Sequence, residues 1–324
     1  MVSSRQLLVI TFLASIWFDS SVAVGQGQDE TSMAGQVEGT RNDLSLLQER
    51  AAQGDAKAAY RLGWRYMNGT GAAQDYQQAA KWYRKAAERG LSDGQFGLGY
   101  LYEHGNGVAR DYKQAAAYYR AAAEQGHATA QNNLGSLYEH GQGVPKDLQE
   151  AANWYRAAAK NGNVTAQCNL ASLYFTGRGI SRDYSQAALW FRAAAERGYA
   201  PAQENLGWMY YTGTGVATDY TEAAKWVRRA AEQGHARAEL DLGYLYEQGK
   251  GVPLDYISAY AWYQAAANGG EDRALAKLQD LAHRMTLRQV SSARQRAAEI
   301  RGTLHSVIEE ERPGASEGVL PKPR

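Results

Sequence analysis

Residues 130–162 read AQNNLGSLYEHGQGVPKDLQEAANWYRAAAKNG, two stretches of helical periodicity separated by a glycine-rich turn, and the same pattern returns every 36 residues. Written from Asp55, it fills six rows: 55–90, 91–126, 127–162, 163–198, 199–234 and 235–270. A leucine stands at Leu62, Leu98, Leu134, Leu170, Leu206 and Leu242, followed by glycine in every row except the fourth, which has Ala171. Each leucine is followed in turn by a tyrosine (Tyr66, Tyr102, Tyr138, Tyr174, Tyr210, Tyr246), a Gly-x-Gly segment and an aspartate (Asp75, Asp111, Asp147, Asp183, Asp219, Asp255).

Each column has a physical cause. Leu, Gly and Tyr at i, i+1 and i+4 lie along one side of a first helix, where the glycine admits a close neighbour. Gly-x-Gly supplies positive backbone φ angles, which end that helix and reverse the chain. The aspartate then caps a second helix, and Gln78, Gln114, Glu150, Gln186 and Glu222, three residues later, predict capping boxes. The second helix carries Trp82, Tyr118, Trp154, Trp190, Trp226 or Trp262 among alanines, expected as aromatic knobs on a small-residue floor. One hairpin cannot bury its apolar face alone, so the hairpins must stack into an all-α solenoid.

The rest of the chain frames this array. Residues 1–23, with Arg5, an apolar run from Leu7 to Phe18 and the small residues Ser21 and Ala23, read as a cleavable signal peptide. That run is too short to span a bilayer, which takes about 20 apolar residues, and no later stretch approaches that length. The expected destination is the periplasm or secretion. Residues 24–40 are read as a disordered linker, 41–54 as an N-terminal capping helix with Leu44, Leu47 and Ala51 on one face, 271–302 as C-terminal capping helices, and 303–324 as a disordered tail. Thr286 and Gln289 are expected to open the last helix.

With 35 basic and 34 acidic residues, the chain lacks the positive field that binds nucleic acid. The single cysteine, Cys168, rules out an intrachain disulfide framework and reads as a small helix side chain. No cofactor is expected, and a monomer is.

The joint spacing of Leu-Gly, Tyr, Gly-x-Gly, Asp and Trp over residues 55–270 resembles the Sel-one-like repeat family, relatives of the tetratricopeptide repeats. The resemblance implies antiparallel helix pairs wound into a right-handed α/α superhelix of six helix-turn-helix repeats with capping helices. It also implies a non-enzymatic adaptor or scaffold that binds a protein, a peptide or a cell-envelope component. A cysteine-rich exported branch has been connected with penicillin binding or β-lactam hydrolysis, which makes a cell-wall-active hydrolase the alternative. Those cysteines are missing here, and neither Ser-x-x-Lys nor Gly-x-Ser-x-Gly occurs in the six rows.

If the first helices line the concave wall, specificity belongs to the columns that vary. One reads Arg61, Gly97, Asn133, Asn169, Asn205 and Asp241; the next Trp64, Tyr100, Ser136, Ser172, Trp208 and Tyr244; the third Asn68, His104, His140, Thr176, Thr212 and Gln248. Asn133, Asn169 and Asn205 are expected as an amide ladder for the backbone of an extended peptide, since each amide both donates and accepts. Trp64, Tyr100, Trp208 and Tyr244 are expected as amphipathic anchors at its ends. Arg61, His104, His140 and Asp241 complete the candidate set. The two histidines lack an acidic third ligand at a recognisable spacing, so no metal is assigned. Glu103, Glu139 and Glu247, and the arginines at 84, 120, 156, 192 and 228, read as solvated helix faces.

Overall fold

A computed structural model describes residues 40–310, and among them it contains fifteen helices and no strand. Helix α1 (Thr40–Ala52) precedes six hairpins. These are α2 (Ala56–Asn68) with α3 (Tyr76–Glu88), α4 (Ser92–His104) with α5 (Tyr112–Glu124), and α6 (Ala128–His140) with α7 (Leu148–Lys160). They continue with α8 (Val164–Thr176) and α9 (Tyr184–Glu196), α10 (Ala200–Thr212) and α11 (Tyr220–Ala231), and α12 (Ala236–Gln248) and α13 (Tyr256–Asn268). Helices α14 (Arg273–His283) and α15 (Leu287–Glu310) close the array. From α1 to α14 each helix packs on its neighbours in sequence, as in a solenoid, whereas α15 folds back onto α13.

The Leu-Gly column acts inside each hairpin. A Cβ added to Gly99 would lie 2.8 Å from the ring of Tyr119 on the second helix, and one added to Gly63 would lie 2.4 Å from Tyr83. The fully buried aromatic is thus Tyr83, Tyr119, Tyr155, Phe191 or Tyr263, one residue beyond the column expected from the sequence. Of the expected knobs Trp82 and Trp226 are buried as well, 8% and 4% exposed, with Lys85 Nζ 4.6 Å and the Arg229 guanidinium 4.7 Å from their ring centres, while Tyr118, Trp154, Trp190 and Trp262 are half-buried.

The Gly-x-Gly turn has two jobs. Gly105 ends α4 with φ 73°. Gly107 has φ 68°, and a Cβ there would fall 2.2 Å from the Tyr76 carbonyl, because the turn rests on the start of the preceding repeat's second helix. The aspartates cap as expected: the Asp111 carboxylate accepts from the N–H groups of Lys113 and Gln114 at 2.9 and 3.1 Å. The expected return bond of the capping box is replaced. The Asp111 N–H donates to the Tyr102 carbonyl at 2.9 Å, and its equivalents Asp75 to Asp255 do the same. The turn delivers this otherwise unpaired helix-end carbonyl to the same donor. Among the described residues Thr286 and Gln289 show both bonds of a box, at 2.9 and 3.3 Å.

Two columns read as solvated faces are structural. Tyr155 donates to Glu139 at 2.9 Å and Tyr263 to Glu247 at 2.7 Å, with Tyr119 and Glu103 joined alike; Glu139 is only 2% exposed. Arg84, Arg156 and Arg228 donate to the hydroxyls of Tyr102, Tyr174 and Tyr246 in the following repeat at 3.3, 3.4 and 2.8 Å, and Arg120 and Arg192 reach Tyr138 and Tyr210 likewise. Stacking brings each pair together from different helices, which single-helix periodicity does not register.

At the N-terminal end, Leu47 and Ala51 of α1 are buried and Leu44 packs beside them, shielding the first hairpin. At the other end Ala293 and Ala297 of α15 are buried. That helix runs on to Glu310, past residue 303, and no proline lies between Leu287 and Pro313. The expected signal peptide at 1–23, the linker up to residue 39, and residues 311–324 lie outside the described residues. No described helix is long and apolar enough to cross a membrane.

Candidate recognition wall

The first helices α2, α4, α6, α8, α10 and α12 follow one another along the array, and side chains of adjacent first helices meet between α6 and α8 and between α10 and α12. The structure divides the candidates into those bound into the fold and those left at the surface.

The third column is spent on its own helices. Asn68 donates to the Trp64 carbonyl at 2.9 Å, Thr176 to that of Ser172 at 2.8 Å, and Thr212 to that of Trp208 at 3.0 Å. His104 Nδ1 lies 2.9 Å from the Tyr100 carbonyl and His140 Nδ1 2.9 Å from that of Ser136, which puts the ring proton on Nδ1. His104 also stacks on Tyr100 at 4.0 Å. Each side chain satisfies a carbonyl in the last turn of a helix, so the column is polar for a reason of folding.

The amides do not form an open ladder. Asn133 is 5% exposed and accepts from Asn132 at 3.3 Å; Asn169 donates across the repeat boundary to Asn132 at 3.1 Å; Asn205 donates to the Pro201 carbonyl at 2.7 Å. The first two form an amide chain with Asn132 between α6 and α8, and Asn205 stands apart from it.

The aromatic anchors separate by position. Trp64 and Tyr100 are buried, 7% and 5% exposed, and belong to the core. Arg61 is exposed near the N-terminal end. Trp208 and Tyr244 are half-buried and line a hollow together with Asp241, Tyr211, Gly207, Ala223, Val227 and Leu245. Trp208 stacks on Tyr211 at 5.1 Å, and Tyr211 meets Tyr244 edge-on at 6.1 Å with the hydroxyls 3.4 Å apart. Tyr211 escaped the sequence reading. Its signal is the doubled Tyr210-Tyr211 in a column that elsewhere holds Met67, Glu103, Glu139, Phe175 and Glu247.

Behind the hollow lies a charged layer. Glu204, 3% exposed, is held by Arg237 Nε at 2.9 Å and His235 Nε2 at 3.0 Å. Burial, together with the Glu204 charge, pushes the Asp241 carboxyl up to about 8 against the pull of Arg237 and Arg273. Burial and the same glutamate push the Cys168 thiol up to about 12, which leaves it without thiolate character. The described residues bring together no group of three or more His, Cys, Asp and Glu side chains able to hold a metal.

Six stacked helix hairpins, with a first-helix wall whose invariant positions build the fold, define an α-solenoid repeat protein. The chain belongs to the Sel1 repeat family: the Sel1 repeat matches residues 56–91, 92–127, 128–163, 164–199, 200–235 and 236–271. Its fold is shared with c5321, a protective antigen of uropathogenic Escherichia coli strains with an SLR fold (35% identity, 86% of this chain, TM-score 0.71). This chain spans 61% of the length of c5321. A Sel1 repeat protein of Oxalobacter formigenes is 30% identical over 71% of this chain and 97% of its own, with a TM-score of 0.62. No curated protein shows a significant match. Sel1 repeats generally mediate protein interaction, and solenoids of this kind are typically non-catalytic scaffolds.

Proposed function

We propose that this protein is an exported adaptor of the cell envelope that binds a protein or peptide partner on the concave wall of its fifth and sixth repeats. One observation carries the reading. Of the four aromatic anchors, Trp208 and Tyr244 remain half-buried and frame a hollow with Tyr211, while Trp64 and Tyr100 are core residues. Large amphipathic rings at the rim of a hollow are the side chains on which recognition energy concentrates. The signal-like sequence of residues 1–23 supports a periplasmic or secreted location. Affinity capture from the host envelope with the tagged chain is the test. Trp208→Ala with Tyr244→Ala should lose a partner that the wild type retains, and unchanged capture by a folded double variant overturns the reading.

A further inference from the structure

We propose that the hollow between the fifth and sixth first helices takes a cationic side chain, the guanidinium or ammonium group of an Arg or Lys residue in the partner. The inference rests on the groove reading above and names what that groove selects. Asp241 lines the hollow, and its Oδ2 is buried with no hydrogen-bond partner among the described residues. A buried carboxyl oxygen without a partner is costly, and a cationic donor entering from outside would relieve it and displace the carboxyl's proton. The walls suit the same guest, because the faces of Trp and Tyr rings attract cations. Trp208 and Tyr211 stack on each other at 5.1 Å, which leaves one outer face to each, and Tyr244 meets Tyr211 edge-on at 6.1 Å.

The chain's own nearby cations act on the Asp241 carboxyl through space without hydrogen-bonding its Oδ2. Arg237 pairs with Glu204 at 2.9 Å and Arg273 with Glu271 at 2.7 Å. Lys277 Nζ stands 3.6 Å from Glu247 and 5.5 Å from the Tyr244 ring centre, so that ring already faces a cation without satisfying Asp241. A neutral apolar side chain would fill the aromatic walls but leave the acceptor unpaired.

The test uses the full chain labelled with 5-fluorotryptophan, reading the Trp208 fluorine signal at pH 9, where the Asp241 carboxyl is ionised. The probes are three capped pentapeptides, Ala-Ala-X-Ala-Ala, with X arginine, its neutral isostere citrulline, or norleucine. The arginine peptide should shift the signal saturably and bind at least about tenfold more tightly than the other two. Asp241→Asn, close to isosteric, should erase that preference while helical circular dichroism is unchanged, and Tyr244→Leu should weaken arginine binding about threefold or more. Equal binding of the three peptides, no binding even at about 10 mM, or an arginine preference that survives in Asp241→Asn overturns the inference. If the preference is missing while Trp208→Ala with Tyr244→Ala still abolishes partner capture, the groove stands and its cation selectivity falls. If capture is also unaffected, both fall.

Discussion

Tyr155 donates its hydroxyl to Glu139, sixteen residues earlier, at 2.9 Å, and the two side chains are 1% and 2% exposed. The position pair recurs through the solenoid with correlated chemistry. It holds Glu103 with Tyr119 and Glu247 with Tyr263, but Phe175 beside Phe191 in the fourth repeat, where the carboxylate and the hydroxyl are absent together. In the first repeat, where Met67 stands in place of the glutamate, the buried Tyr83 hydroxyl has no partner among the described residues.

Tyr155→Phe should therefore cost about 1–3 kcal/mol, because it removes the hydrogen-bond donor of a buried carboxylate and leaves it only the Arg178 ion pair. Glu139→Phe combined with Tyr155→Phe copies the fourth repeat and should recover most of that loss. The residue is the Glu139 ion pair with the half-exposed Arg178 at 3.4 Å, worth about 0–1 kcal/mol. Urea denaturation of the two variants checks the order, and a double variant weaker than Tyr155→Phe alone would contradict it.

The two turn glycines should respond differently. Gly105→Ala meets a left-handed φ of 73° and the Arg110 Cβ at 3.2 Å, a strain of about 1–2 kcal/mol. Gly107→Ala adds a collision at 2.2 Å with the backbone of the preceding repeat, about 1–3 kcal/mol more. Thermal denaturation should show Gly107→Ala the less stable; equal melting temperatures would mean that the turn does not seat one repeat on the other.

Glu239 should make stability depend on pH. Gln131, Gln167 and Gln203 hold the same place in earlier repeats and donate to the carbonyls of Ala123, Ala159 and Ala195 at 2.9, 3.3 and 3.1 Å. Glu239, 2% exposed, can donate in this way only when protonated, and burial raises its carboxyl to about 7 although His235 opposes the shift. The folded chain thus holds a proton that the unfolded chain, with a carboxyl near about 4.3, releases. Stability from this group is full below about pH 4.3, falls as pH rises to about 7 and is flat above, a loss of ~4 kcal/mol at most. Glu239→Gln should reduce the slope, leaving the part that Asp241, raised to about 8, contributes, and should raise the melting temperature at pH 8; an unchanged slope in that window defeats the assignment.

Trp64→Ala and Trp208→Ala test the division of the wall. Trp64 is 7% exposed, so its truncation should cost about 3–5 kcal/mol in stability. Trp208, half-buried at the hollow, should cost less in stability and more in partner capture. A larger stability loss for Trp208→Ala would place that residue in the core instead.

The hairpins, their turns and their aspartate caps were legible in the sequence. They depend on short-range chemistry, such as a glycine at positive φ, an aspartate before a helix, or leucine and tyrosine a turn apart, and the period repeats each signal six times. The capping box misled because Asp111 spends its N–H on Tyr102, an acceptor nine residues back in the sequence that the turn brings beside it. Tertiary structure alone decided the rest. It set that Glu139 and Glu247 are buried and the arginine column bridges adjacent repeats, which aromatics are core, and that the anchors left at the surface gather round Asp241. Such partners lie on different helices, and their distances follow from how one repeat seats on the next. Periodicity within a helix gives the direction of a side chain and leaves open what stands opposite it.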